Sequence, residues 1–191
     1  VKILKHRNSK LKMQTFPILS TTRLILSQPT VADTEDVILQ MNSTSEISEN
    51  TLTLPFPYHK QHADYWFQMA EFSFKKKEAF IFGIREKENL KLIGAVGLHL
   101  DITNNKAEVG YWLGKSFWNN GYVSEALQEV LKFGFEELKL NKIYASHFHH
   151  NPASGKVLEK NGFVFEAELK QEILKNGKYL DLFRYALFNI K

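Results

Sequence analysis

A glycine turn that leads directly into an amphipathic helix is the part of this 191-residue sequence best suited to bind an anion. The turn runs from Trp118 to Val123, and apolar residues then recur every three or four positions as far as Leu138. N–H groups at a helix N-terminus lack partners within the helix, and the dipole adds roughly half a positive charge there. Gly121 has no Cβ and lets an anion approach the backbone closely. The turn therefore predicts a phosphate-binding site.

A second motif follows further along the chain. Asn151 is a good helix cap, Pro152 suits a first helical turn, and Ser154 lies within that turn. The pair Gly162-Phe163 comes after this segment, and a glycine commonly ends a helix. The sequence therefore predicts a second, shorter helix that begins after Asn151.

Together these two segments resemble the GNAT superfamily of acyl-CoA-dependent N-acyltransferases. The closest branch is the Rim type, whose members acetylate the N-terminal amines of ribosomal proteins. The turn is similar to the family's pyrophosphate loop, Arg/Gln-x-x-Gly-x-Gly/Ala, with Trp118, Gly121 and Val123 at its three defined positions. Asn151 and Ser154 match the family's Asn-x-x-Ser/Ala pattern, which a Gly-Phe pair follows.

The resemblance implies acetyl-CoA as co-substrate and no metal ion. Backbone N–H groups of the strand before the loop are implied to stabilise the oxyanion, and those of the loop to bind the pyrophosphate. The implied cofactor-binding residues are Tyr111, Trp112, Leu113, Trp118, Asn119, Asn120, Gly121, Tyr122, Val123, Ser124 and Asn151.

Two residues are predicted to be catalytic. The resemblance implies a base at Glu108, in the strand before the loop; alternatively Glu108 is a surface residue that pairs with Lys106, and a water or Glu172 is the base. Many family members carry a tyrosine where this chain has Leu158. The resemblance then implies Ser154 as hydrogen-bond donor to the departing thiolate, and the alternative for Ser154 is helix capping.

The order of patterns predicts one mixed α/β domain over residues 13–191. The sheet is expected to be mostly antiparallel and twisted, flanked by helices, and the resemblance implies that it splays between the strands at 107–113 and 142–149. Asn176-Gly177 predicts a tight hairpin. The other predicted strands are 23–26, 79–85, 92–100, 166–174 and 179–187, and helical periodicity covers 33–41, 65–72 and 123–138.

Composition excludes several classes of protein. The chain has no cysteine, which excludes a disulfide framework, a thiolate metal site and a cysteine nucleophile, so direct transfer is expected. The histidines at 147, 149 and 150 favour a metal site only weakly, because no cysteine or helical His-x-x-x-His supports it. No apolar run approaches the ~20 residues of a membrane span, and a cytoplasmic location is the default expectation.

Residues 1–12 form a separate basic segment with five Lys/Arg and no acid, in a chain of net charge +4. The segment predicts a weak contact with a ribosome or RNA. The alternative is an incidental extension, since Met13 would be a plausible start. Either a monomer or a homodimer is compatible with the composition.

The expected activity is transfer of acetyl from acetyl-CoA to a primary amine, preferably a protein or peptide N-terminus. The alternative acceptors are small amines such as an aminoglycoside, a polyamine or an amino acid. A further alternative is a catalytically silent module that binds acyl-CoA.

Overall fold

The computed structural model describes residues 13–189, so the predicted basic segment 1–12 lies outside the described part, as do residues 190 and 191. Eight strands form one sheet in the order β1-β2-β3-β4-β5-β6-β8-β7. The strands are β1 (Leu19–Ser20), β2 (Leu24–Ser27), β3 (Ala79–Glu86), β4 (Leu92–Asp101), β5 (Lys106–Leu113), β6 (Lys142–Phe148), β7 (Val164–Lys175) and β8 (Lys178–Phe188). The α-helices are α1 (Thr34–Met41), α2 (Glu46–Glu49), α3 (Lys60–Lys76), α4 (Tyr122–Lys132) and α5 (Pro152–Lys160).

The predicted mixed α/β fold is confirmed, with two local differences. The short elements β1 and α2 have too few residues to show a period in the sequence. The helix predicted over 123–138 is α-helical only as far as Lys132 and continues as a π-helical segment, Phe133–Glu137. Within that segment a Cβ added at Gly134 would lie 2.7 Å from Ile143 Cδ1, so the glycine permits close packing against the sheet.

Helices cover both faces of the sheet. The larger core packs α4, through Ala126, Leu127 and Val130, against apolar side chains of the central strands. The second core lies on the opposite face, where α1 and α3 pack against Leu92 and Trp112. The buried side of α4 is the side that its apolar period predicted. The period over 65–72 predicted the wrong side of α3, because the packing of that helix on α1 and the sheet buries Ala63, Phe67 and Ala70. Tyr65, Met69 and Phe72 are exposed instead.

The sheet is splayed between β5 and β6. These strands are parallel and pair from Lys106↔Lys142 to Glu108↔Tyr144, after which they part, whereas every other pairing in the sheet is antiparallel. The predicted splay between these two strands is confirmed. Within residues 13–189, no helix combines the length and the apolar character that a membrane crossing requires.

Candidate active site

The turn before α4 has the geometry of an anion-binding helix start. Gly121 caps α4 with a φ of 77°, and Asn119 has a φ of 62°; both values lie in the left-handed region. The N–H groups of Tyr122, Val123 and Ser124 belong to the first turn of α4, where no acceptor exists within the helix. A Cβ added at Gly121 would have Arg23 Nη2 at 3.7 Å as its near neighbour, so the loop backbone is otherwise open to a ligand.

Arg23 brings a cation to the same loop. Its Nη1 donates to the Asn120 carbonyl oxygen at 3.0 Å, and its guanidinium lies 4.3 Å above the centre of the Tyr122 ring. Glu125 orients Arg23 through a 2.7 Å contact between Oε2 and Nε. Burial acts to raise the pKa of Glu125, but hydrogen bonds from Thr21 and Arg23 outweigh it and lower that pKa. No role was predicted for Arg23, because its partner Asn120 is 97 positions away in the sequence.

A groove of about 630 Å³ extends from this loop along α4 to the end of α5. Arg23, Gly121 and Ser124 line one end, and Lys160 and Asn161 line the other. A cation at each end suits a ligand that carries several phosphates.

The opening between β5 and β6 brings together Tyr111 and Ser154. Their hydroxyl oxygens are 2.8 Å apart, and the Tyr111 hydroxyl is also 3.1 Å from the Ser154 carbonyl oxygen, to which it can donate. Burial raises the pKa of Tyr111 to about 12, although the hydrogen bond with Ser154 opposes this shift. Tyr111 is therefore a neutral donor at physiological pH. The contact of the Tyr111 hydroxyl with Ser154 was not predicted, because nothing in the sequence pattern pairs two positions 43 residues apart.

The remaining predicted cofactor residues surround this opening in different ways. Asn151 caps α5, and its Oδ1 accepts from the Ser154 N–H at 3.4 Å. Trp118 is half-buried, and its Nε1 donates to the Leu113 carbonyl oxygen at 2.7 Å. Trp112 is 9% exposed, and its side chain belongs to the second core, so only its backbone is available to a ligand.

Glu108 lies on the sheet face opposite α4, at the last register pair before β5 and β6 part. It is half-buried, with His99 of β4 and Tyr144 of β6 as its cross-strand neighbours. Burial lowers the pKa of His99, and Glu108 opposes that shift. Lys106, the alternative partner of Glu108, pairs instead with Asp101 at 3.7 Å. His99 was not predicted to lie at the site, because only the β4–β5 register places it beside Glu108.

The three histidines before Asn151 do not converge on one point. His147 is buried, its Nδ1 lies 2.9 Å from the Phe148 carbonyl oxygen, and its Nε2 has no hydrogen-bond partner in the described part of the chain. His149 contacts Phe183 edge-on, whereas His150 stacks on Phe148. No cluster of three or more His, Cys, Asp or Glu residues suited to a metal ion occurs within residues 13–189.

Lys175 bridges the two sides of the wide end of the opening. It lies near the tip of the β7–β8 hairpin, and its ammonium donates to the carbonyl oxygens of Ser48, Glu49 (3.2 Å) and Thr51, at and after the end of α2. The α2 segment is tied to the end of β5, because Lys115 contacts Glu46. Lys175 therefore joins the segment beside β5 to the hairpin beside β6.

A sheet that parts beside an anion-binding helix start has the arrangement of an acyl-CoA-dependent acyltransferase. A sequence profile of the family described as Acetyltransferase (GNAT) domain matches residues 23–164, which include the loop, both parted strands and Ser154. The uncharacterized N-acetyltransferase YoaA of Bacillus subtilis (strain 168) is 34% identical over 178 residues, which cover 90% of this chain and 97% of YoaA. The chain belongs to the GNAT family, and it is an acetyl-CoA-dependent N-acetyltransferase.

Further similarity indicates the branch within the family. The ribosomal-protein-serine acetyltransferase of Escherichia coli (strain K12) is 34% identical over 97 residues, or 50% of this chain and 54% of that protein. The structure of RimL, a ribosomal L7/L12 alpha-N-protein acetyltransferase in complex with coenzyme A, matches with a TM-score of 0.80 and 21% identity. That match covers 90% of this chain and 98% of the other. Both similarities support the Rim-like branch that the motifs predicted.

Proposed function

We propose that this enzyme acetylates the N-terminal amine of a protein or peptide by direct transfer from acetyl-CoA. The observation that carries the proposal is the position of Glu108, a half-buried carboxylate beside the parted strands. Among residues 13–189, no Lys, Arg or His nitrogen lies within 4.0 Å of this carboxylate, so it is free to bind an incoming ammonium group.

The energetics of deprotonation favour an α-amine as acceptor. At pH 7, removing a proton from an α-amine with a pKa of ~7.8 costs about 1 kcal/mol, whereas a lysine with a pKa of ~10.4 costs about 4.6 kcal/mol. A single carboxylate, acting directly or through a water, is sufficient to deprotonate an α-amine at pH 7 but is poorly suited to deprotonate a lysine. The name of the E. coli relative, a ribosomal-protein-serine acetyltransferase, supports the same acceptor class.

Acetyl-CoA is proposed to bind in the groove that runs from the Gly121 loop along α4 to the end of α5. The N–H groups at the start of α4 would bind the pyrophosphate, and Arg23 and Lys160 would contact phosphates at the two ends of the groove. The thioester would then reach the opening between β5 and β6, close to Tyr111 and Ser154.

The transfer proceeds in three steps. Glu108 takes a proton from the ammonium group, and the neutral nitrogen attacks the thioester carbon. Backbone N–H groups of residues 111–113 that face the opening stabilise the oxyanion. The nitrogen then releases its second proton to solvent water, the C–S bond breaks, and the thiolate leaves while Ser154 donates a hydrogen bond to its sulfur. Tyr111 orients the Ser154 hydroxyl for this contact.

A screen of acceptors tests the proposed function. Acetyl-CoA turnover would be measured with N-terminal peptides, polyamines and aminoglycosides under one set of conditions. The proposal predicts turnover with at least one class of peptide. Turnover confined to small amines would assign the enzyme to the alternative acceptor class. Micromolar CoA binding without turnover of any amine would identify a silent module.

We expect Lys175 to shape the acceptor side of the opening. Lys175→Met removes the contacts that tie the hairpin to Ser48 and Thr51, so the KM for a peptide acceptor should rise by up to about tenfold. The KM for acetyl-CoA should not change. The control is Lys170→Met, on the same strand, which removes only exposed pairs with Glu168 and Asp181. Equal acceptor KM values for both variants would contradict this role.

Three further aspects of the proposal rest on composition alone. They are a ribosome or RNA contact through residues 1–12, a cytoplasmic location, and a monomeric or homodimeric state.

A further inference from the structure

Arg184 of β8 lies on the same sheet face as Glu108, on the other side of the opening. In the register of the sheet, Glu108 is opposite Tyr144, and Arg184 is opposite Ser146, two positions further along β6. The Arg184 guanidinium carbon is 5.2 Å from the centre of the Tyr144 ring, and its Nε donates to Ser146 Oγ over a long 3.4 Å. Residues of opposite charge therefore flank the point where β5 and β6 part.

Neither charge has an ion-pair partner of opposite charge in the described part of the chain. No carboxylate oxygen of residues 13–189 lies within 4.0 Å of the Arg184 guanidinium, although the residue is half-buried. The neighbouring cations on this face are already paired, Lys106 with Asp101 and Lys142 with Glu166. Removing a charge from water without a counter-charge is costly, so an anion that binds here gains an unusually favourable partner.

We propose that the preferred acceptor carries a carboxylate close to its N-terminal amine and that Arg184 binds this carboxylate. Glu108 then receives the ammonium group while the planar fork of Arg184 receives the anion, and the peptide lies across the opening. This inference rests on the proposed function, because it names a class of N-terminal peptide.

The strand spacing indicates where the carboxylate should be. Neighbouring strands are about 4.8 Å apart, so at the level of Glu108, where β5 and β6 are last paired, the backbones of β5 and β8 are separated by roughly 10 Å. One extended residue spans about 3.3–3.6 Å, so an acidic side chain at the second or third residue can reach from Glu108 to Arg184. The α-carboxylate of a free amino acid is one residue from its own amine and lies too close.

The test compares matched acceptors on the wild-type enzyme and on Arg184→Gln. The acceptors are peptides that differ only by Glu or Gln at the second residue, a third peptide with Glu at the third residue, and a free amino acid. We expect the wild-type kcat/KM to favour a Glu peptide by about tenfold or more, and Arg184→Gln to abolish this preference. The rate with the Gln peptide should stay within about twofold of wild type, which loss of a merely structural residue would not produce.

Two further variants keep the test decisive. Arg184→Lys retains the positive charge but lacks the planar guanidinium group, so it should keep part of the preference for Glu peptides over Gln peptides. This variant tests the inference if Arg184→Gln does not fold. Lys91→Gln removes one exposed cation elsewhere and should leave the preference intact. Equal rates for Glu and Gln peptides on the wild-type enzyme would overturn the inference alone. A preference for the free amino acid would also overturn it, and failure to acetylate any peptide would overturn the proposed function itself.

Discussion

Glu108→Gln is expected to lower kcat by about 10²–10⁴ at neutral pH, because the amide cannot accept the proton of the ammonium group. Raising the pH toward the pKa of an α-amine, ~7.8, should restore part of the rate, since more of the acceptor is then neutral without a base. Affinity for CoA should survive, because the loop at Gly121 is not touched. The measurement is the pH dependence of kcat for both enzymes with one peptide acceptor.

Two comparisons separate this role from others. Ser154→Ala should lower kcat by a smaller factor than Glu108→Gln. Raising the pH should not restore this loss, because the thiolate needs its hydrogen bond whether or not the amine is already neutral. Glu172→Gln makes the same carboxylate-to-amide change at an exposed position of β7 and should leave kcat unchanged. A Glu108→Gln enzyme with a near-normal rate at every pH would reduce Glu108 to a strand residue and make water or Glu172 the base.

Gly121→Val is expected to weaken CoA binding by at least about tenfold, equivalent to about 1.4 kcal/mol. The side chain would occupy the space from which a phosphate approaches the start of α4, at a φ of 77° that a β-branched residue adopts poorly. Calorimetric titration with CoA measures the effect directly.

The hairpin turn supplies a matched control for this variant. Gly177 has a φ of 75°, and a Cβ added there meets nothing within 4 Å, so Gly177→Val introduces similar backbone strain away from the loop. That variant should bind CoA with wild-type affinity. Unchanged CoA affinity in a folded Gly121→Val protein would contradict the assignment of the loop to the CoA-binding site.

Much of the fold was predictable because its elements are encoded locally. The turn Asn176-Gly177 has φ values of 49° and 75°, the left-handed pair that a two-residue hairpin requires. The period of α4 and the cap at Asn151 are likewise properties of short segments. The π-helical end of the long helix was not predictable, because it depends on the packing of Gly134 against a strand that follows later in the chain.

Residues of the candidate site were predictable from the sequence only where they belong to a contiguous motif. Residues of the loop and Ser154 lie in contiguous motifs, whereas the contact between Tyr111 and Ser154 joins positions 43 residues apart. Only strand register places His99 beside Glu108 and Arg184 across the opening from it, because β6 pairs with β8 rather than with β7. Isolated positions of this kind leave no local period or spacing in a single sequence.

One measurement tests the central claim most directly. A peptide with a free N-terminus and an internal lysine would be incubated with acetyl-CoA and the enzyme, and tandem mass spectrometry would locate the acetyl group. Direct transfer to an α-amine assisted by Glu108 predicts acetyl on the N-terminal nitrogen and none on the lysine. Acetyl on the lysine, or an unmodified peptide under conditions in which a polyamine or aminoglycoside is acetylated, would contradict it.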